Sequence, residues 1–146
     1  MHESNPGWLW KTERSVPSQP RAVRGVVREV VGQLRTHGWP RDEIFGVHLA
    51  LEEGLVNAVR HGNRSDSHKR VHFRCSLSGE RIWIEIEDEG VGFDPHCLPD
   101  PTAPENLCRD GGRGVMLMRA YMSRVEFNAV GNCVTMEKLR AGRAAS

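Results

Sequence analysis

Residues 52–63 have the sequence Glu52-Glu53-Gly54-Leu55-Val56-Asn57-Ala58-Val59-Arg60-His61-Gly62-Asn63, and the fold assignment starts from them. They close a predicted helix that begins near Arg41. Its residues expected to be buried recur at helical spacing, namely Ile44, Val47, Leu51, Leu55 and Ala58. Gly62 and Asn63 are typical of a helix end.

Three polar side chains of this segment, Glu53, Asn57 and His61, are four residues apart and therefore share one helix face. An amide oxygen such as that of Asn57 is a suitable ligand for Mg²⁺. A carboxylate one turn away, that of Glu53, could accept a proton from a hydroxyl or a water. The pattern also fits a polar, solvated helix face. Gly54 favours the first interpretation, because glycine inside a helix costs about 1 kcal/mol relative to alanine and so indicates a close approach to the backbone.

The second motif is Asp88-Glu89-Gly90-Val91-Gly92-Phe93, at the end of a predicted strand over 82–86. An aspartate at a strand end can accept a hydrogen bond from an exocyclic amine such as that of adenine. The two glycines remove side chains where a flat base would lie against the backbone. A tight turn after a strand is the alternative.

The third motif is Gly111-Gly112-Arg113-Gly114, which opens a predicted short helix over 115–121. Small residues at a helix N-terminus leave backbone N–H groups free to face phosphate oxygens. Arg113 could add charge there or point to solvent. The motif lacks the Lys-Ser/Thr of a P-loop and does not give GxGxxG after a leading strand, so neither of those phosphate sites applies.

The remaining segments complete a sheet with helices on it. The patterns predict strands over 8–16, 71–77, 82–86, 124–129 and 133–139, and a helix over 21–37 that Ser18 could cap. The proline-containing segment 93–110 is predicted to be a long loop, of the kind that often forms a lid. This order predicts an α/β (α+β) two-layer sandwich, in which a mostly antiparallel mixed sheet is covered by helices on one face.

The composition fits one soluble domain over residues 1–146, with a core from about 12 to 139 and a flexible tail at 141–146. A net charge of +1 argues against a direct nucleic-acid partner. The absence of a long apolar run or a signal-peptide pattern argues against a membrane partner and favours a cytoplasmic location. The four cysteines form no CxxC pair and are expected to be reduced, and the histidine spacing fits no zinc site.

The order of the three motifs resembles the N, G1 and G2 boxes of the GHKL ATPases, which have the Bergerat ATP-binding fold. The resemblance extends over roughly residues 12–139. Within that family, the chain is most similar to the stand-alone anti-sigma factor serine kinases. The segments that carry this similarity are 16–18, 49–63 and 112–119.

The resemblance implies roles for particular residues. Asn57 would coordinate Mg²⁺, Glu53 would be the general base for a serine hydroxyl, and Asp88 would contact the adenine amine of ATP. The other residues implied to contact the nucleotide are His61, Gly90, Gly92, Gly112, Arg113 and Gly114.

The resemblance also implies partners. These are a sigma factor, which would be sequestered, a STAS-domain anti-sigma-factor antagonist, which would be phosphorylated, and a second copy in a homodimer. Two alternatives stay open. One is a nucleotide-dependent partner-binding switch without kinase activity, and the other is a detached histidine-kinase catalytic domain, although the chain carries no phosphoacceptor helix pair.

Overall fold

The computed structural model describes residues 7–90 and 112–141, with the backbone alone at 112 and 113. The predicted lid at 93–110 and the end of the predicted tail, 142–146, lie outside these ranges. The described elements are β1 (Trp10–Pro17), α1 (Pro20–Thr36), α2 (Arg41–Val56), a π-helical turn (Asn57–Gly62), β2 (Arg70–Leu77), β3 (Arg81–Glu87), α3 (Gly112–Tyr121), β4 (Arg124–Phe127) and β5 (Cys133–Leu139).

The five strands form one sheet in the order β1-β2-β3-β5-β4. All four neighbouring pairs described are antiparallel. In this register Phe73 lies opposite Ile86, and Ile84 lies opposite Met136. The predicted α+β architecture is confirmed, and the strand pairings are more uniform than the mixed sheet that was expected.

The core lies between one face of the sheet and the helices. Every second residue of β2 and β3 is buried, and so are the five positions that helical spacing predicted from Ile44 to Ala58. The buried apolar residues of α1 are Val23, Val26, Val27, Val30, Val31 and Leu34. The strand residues of this core that are no more than 2% exposed are Val71, Phe73, Cys75, Leu77, Ile82, Ile84, Ile86 and Met136. Burial of this apolar surface is the main favourable term in the stability of the domain.

The N-terminal end of α1 differs from the capping that was predicted, whereas its C-terminal end follows the usual glycine pattern. Its N-cap is Gln19, which makes no side-chain capping bond, and Pro20 occupies the first turn. The prediction that Ser18 caps this helix is wrong, because Ser18 extends the β1–β2 pairing instead and donates its N–H to the Lys69 carbonyl at 3.0 Å. At the other end, Gly38 has φ +74, and Trp39 donates its N–H to the Leu34 carbonyl at 3.0 Å, which forms a Schellman motif.

At Gly54, α2 lies close to side chains of the sheet and of α3. A Cβ at this position would be 2.8 Å from Cδ1 of Ile86, 3.3 Å from Cε of Met136 and 3.7 Å from Sδ of Met118. The close approach expected at Gly54 is therefore made by core side chains. No helix in the described ranges is long and apolar enough to cross a membrane.

Truncating the largest fully buried side chain of the sheet should destabilise the domain strongly. Phe73 is 0% exposed, so Phe73→Ala should lower the free energy of unfolding by about 3–5 kcal/mol. Phe45→Ala removes the same group from a side chain that is 57% exposed and should cost less than about 1 kcal/mol. Chemical denaturation measures both values, and equal losses would contradict this assignment of the core.

Candidate functional site

The end of the π-helical turn meets the segment after β3 in direct backbone contact. A Cβ at Gly90 would lie 1.9 Å from the carbonyl oxygen of Gly62. A Cβ at Gly62 would lie 2.1 Å from Oδ2 of Asp88. A side chain at Gly90 would collide with backbone, and one at Gly62 would displace the Asp88 carboxylate, so these two glycines let the helix layer lie against the segment after the central strand.

Asp88 is held at this junction from several directions. It is 8% exposed, and its Oδ1 accepts a hydrogen bond from the Gly90 N–H at 2.8 Å. Its own N–H donates to the carbonyl oxygen of Asn132 at 2.9 Å. The carboxylate is therefore fixed beside Gly62.

Asn63 joins three parts of the site, and the sequence analysis interpreted it only as part of a helix end. Its side chain accepts a hydrogen bond from the Glu89 N–H at 2.7 Å and donates one to the Arg70 carbonyl at 2.9 Å. The residue is fully buried. No sequence pattern showed these bonds, because all three residues come from different segments.

A narrow cleft, with a cavity volume of about 20 Å³ between the described residues, lies between the helices and one end of the sheet. Its walls are mainly apolar, and Asn57, Asp88 and Asn132 provide the polar groups. The lining residues are Gly54, Asn57, Ala58, Ile86, Asp88, Met118, Phe127, Gly131, Asn132, Cys133 and Val134. Apolar walls with a few oriented polar groups are typical of a small-molecule site.

One wall of the cleft is the β4–β5 turn, which the sequence analysis had assigned only as a hairpin. Asn128 organises this turn, since its Oδ1 accepts hydrogen bonds from the N–H groups of Gly131 at 2.8 Å, Asn132 at 3.0 Å and Cys133 at 3.2 Å. Gly131 has φ +81, which favours glycine. The turn is thus rigid where it faces the cleft.

Glu53 and Asn57 lie next to the N-terminal turn of α3. A Cβ at Gly114 would be 2.6 Å from Oε1 of Glu53 and 3.5 Å from Nδ2 of Asn57. Gly112 belongs to the same turn. The structure therefore brings together four of the predicted residues, although 55 or more positions separate the two pairs in the chain.

The backbone geometry changes between Asn57 and His61. The helix changes to π-type hydrogen bonding at Asn57, so the spacing of four no longer keeps His61 in line with the other two. His61 is half-buried, and it is not among the described residues that line the cleft. Gly92 and the side chain of Arg113 lie outside the described parts of the chain, so their predicted roles remain predictions.

The ionisable groups at the rim of the site are perturbed in opposite directions. Burial raises the pKa of Cys133, in the cleft wall, to about 12, with Glu85 adding to the shift. The Arg70 N–H and the His72 side chain hold the pKa of Glu89 below its usual value. Glu89 therefore stays ionised in the exposed rim, whereas Cys133 stays neutral.

Comparison with known proteins identifies the fold family of this cleft. The model of the histidine kinase-like ATPase domain matches residues 16–138. The chain belongs to this family. The cleft with Asn57 and Asp88 lies within the matched region, which runs from Val16, near the end of β1, to Lys138, the residue before the end of β5.

Individual relatives within the family are similar over most of the chain. Serine-protein kinase RsbW of Bacillus subtilis is 30% identical over 141 residues, which cover 89% of this chain and 86% of that protein. Serine-protein kinase RsbW of Bacillus licheniformis is 29% identical over 120 residues, or 77% of this chain and 74% of that protein. Anti-sigma F factor of Oceanobacillus iheyensis is 32% identical over 88 residues, or 58% of this chain and 60% of that protein.

A solved structure has the same fold. The crystal structure of the RsbU and RsbW domains of Rv1364c from Mycobacterium tuberculosis matches 90% of this chain with a TM-score of 0.61 and 17% identity. This chain spans 32% of that longer chain. The match supports the shared arrangement of sheet and helices.

The raised pKa of Cys133 predicts slow alkylation of its thiol. With iodoacetamide near pH 8, Cys133 in the folded protein should react more than about tenfold slower than in the urea-unfolded chain, because so little thiolate is present. Its rate should rise about tenfold per pH unit from pH 7 to 10, since this whole interval lies below a pKa of about 12. Mass spectrometry of the Cys133 peptide gives both rates, and equal rates in folded and unfolded chains would contradict the prediction.

Proposed function

We propose that this protein is an ATP-dependent protein-serine kinase that phosphorylates a STAS-type anti-sigma-factor antagonist and, as an anti-sigma factor, sequesters a sigma factor. The observation that carries the proposal is the placement of Glu53 and Asn57 against the glycine-containing start of α3, beside the cleft that holds Asp88. In that arrangement, a site for the adenine base, a site for the phosphates and a side chain that accepts a proton would lie next to one another.

Recognition of the adenine base is assigned to Asp88. A carboxylate has several acceptor positions, so it can receive a hydrogen bond from the exocyclic amine of adenine, and it discriminates against a base that presents a carbonyl there. Gly90 and the apolar walls provided by Ile86, Met118 and Phe127 suit a flat ring. Gly92 is proposed to extend this surface.

The phosphates and Mg²⁺ are assigned to Asn57 and the start of α3. Backbone N–H groups at a helix N-terminus favour phosphate oxygens, and Gly112 and Gly114 leave those groups uncovered; Arg113 and His61 are proposed to add contacts. In the described ranges, no three or more His, Cys, Asp or Glu side chains lie together in a group that could hold a metal ion. A single amide ligand is nevertheless suitable for Mg²⁺, which takes its other ligands from phosphate and water.

Glu53 is the proposed general base. Its side chain is half-buried, and it also lines a groove between α1 and α2 that is open to solvent. A serine hydroxyl entering from that groove would lose its proton to Glu53 as its oxygen attacks the γ-phosphorus, the bond to the β-phosphate oxygen breaks, and ADP leaves. Positioning and charge stabilisation dominate such transfers.

The partners are proposed from the relatives. Proteins named serine-protein kinase RsbW and anti-sigma F factor are similar to this chain over more than half of its length, which supports a sigma factor and an antagonist as partners. We further propose a homodimer in the cytoplasm that contacts neither nucleic acid nor membrane directly.

Replacing Glu53 should separate catalysis from binding. Glu53→Gln should reduce transfer to the antagonist at least about 100-fold, because the general base is lost, while the Kd for Mg-ATP should stay within about threefold. Radiolabel transfer and calorimetry measure the two quantities. Glu80→Gln removes the same charge from an exposed turn and should leave both unchanged.

The outcome of that experiment also separates the alternatives. Transfer that persists in Glu53→Gln would remove Glu53 as the base, and ATP-stimulated partner capture without any transfer by the unmodified protein would identify a binding switch. A phosphorylated partner that loses its label in acid would contain phosphohistidine and would indicate histidine-kinase chemistry. Phosphoserine, which we expect, is stable in acid.

Asn57→Ala should abolish the contribution of Mg²⁺ to ATP binding. In the unmodified protein, chelating Mg²⁺ should weaken ATP binding, because the ion links Asn57 to the phosphates. In Asn57→Ala, the Kd for ATP should already be weak and should change less than about twofold on chelation. An undiminished effect of Mg²⁺ in this variant would remove Asn57 as the ligand.

A further inference from the structure

We infer that Asn63 is a positioning residue for base recognition, because its side-chain amide holds the turn that carries Asp88. The inference rests on the proposed function, in which Asp88 reads the adenine amine. Asn63 lies just beyond the predicted polar face of the helix, and its sequence context predicted no role in the site.

The side chain of Asn63 uses both halves of its amide. Oδ1 accepts a hydrogen bond from the Glu89 N–H at 2.7 Å, and Nδ2 donates one to the Arg70 carbonyl at 2.9 Å. The Asn63 N–H donates to the Ala58 carbonyl at 2.8 Å, so the residue is itself fixed by the π-helical turn. With 0% exposure, water cannot replace these bonds.

An amide is the side chain that these contacts require. The Glu89 N–H needs an acceptor and the Arg70 carbonyl needs a donor, and Asn provides both on one short planar group. An ionised carboxylate has no donor, and an aliphatic side chain has neither group. Leaving a buried N–H unpaired costs the equivalent of about a 5- to 150-fold change in an equilibrium constant.

The bond to the Glu89 N–H fixes the peptide that directly follows Asp88. On the other side, the Asp88 N–H is held by the Asn132 carbonyl at 2.9 Å, and this bond does not involve Asn63. Removing Asn63 therefore releases one anchor of this turn and leaves the bond to Asn132 in place. The turn should persist, but the direction of the Asp88 carboxylate should become less defined, which affects the base more than the phosphates.

The test compares two nucleotides that differ in the base. Asn63→Ala should weaken ATP binding about 5- to 50-fold and GTP binding less than about threefold, so the preference for ATP over GTP falls. Asn63→Asp, which keeps the acceptor for the Glu89 N–H, should retain the preference within about threefold even if its Tm is lower. Calorimetric Kd values with Mg²⁺ present give the ratio.

A matched control separates positioning from stability. Trp39→Phe removes another buried hydrogen bond, from Nε1 to the Ser78 carbonyl at 3.1 Å, at the opposite end of β3, and should lower the Tm without changing the ATP to GTP ratio. An Asn63→Ala variant that folds and keeps the unmodified ratio would overturn the inference, as would equal losses for both nucleotides. If Asn63→Ala does not fold, the ratio in Asn63→Ser decides in the same way.

Failure of the proposed role of Asp88 in recognising adenine would give different binding results. If the unmodified protein showed no preference for ATP over GTP, or if Asp88→Ala kept that preference, the assigned role of Asp88 would be wrong. If Asp88→Ala lost the preference and Asn63→Ala did not, the inference about Asn63 alone would fail.

Discussion

The contact between Gly62 and Gly90 is the constraint on which the rest of the site depends. The helix layer and the central strand β3 approach each other so closely that a single added methyl group would lie 1.9 Å from a carbonyl oxygen. This contact places Asp88 at the mouth of the cleft and leaves room for Asn63 to bond to two neighbouring segments. The contact therefore joins the motif that contains Gly62 to the motif that contains Gly90.

Local periodicity was enough to predict most of the fold. The valines of α1 and the stripe of α2 recur at helical spacing, and β2 and β3 alternate, so each element showed which of its faces is buried. The π-helical turn at Asn57–Gly62 could not be predicted in this way. Its hydrogen bonds join residues five apart instead of four, a difference that the spacing of apolar residues does not show.

The site was predictable only where its residues lie within continuous motifs. Glu53, Asn57, Asp88 and Gly114 fall in such motifs, and the structure brings them to one region. Asn132 and Cys133 line the same cleft from a hairpin whose sequence predicts only a turn. The bonds of Asn63 likewise join segments that no local pattern connects, and Gln19 replaced Ser18 at the start of α1 because Ser18 pairs with β2. The close approach expected at Gly54 is made by side chains of the core.

One cleft is proposed to hold the adenine base at Asp88 and Mg²⁺ at Asn57. A crystal structure of the protein with Mg²⁺ and a non-hydrolysable ATP analogue tests it most directly. We expect the exocyclic nitrogen of adenine at about 3 Å from the Asp88 carboxylate, the Mg²⁺ at about 2.1 Å from Oδ1 of Asn57, and the phosphates at the start of α3. A nucleotide bound in the groove between α1 and α2, or a base turned away from Asp88, would contradict the account.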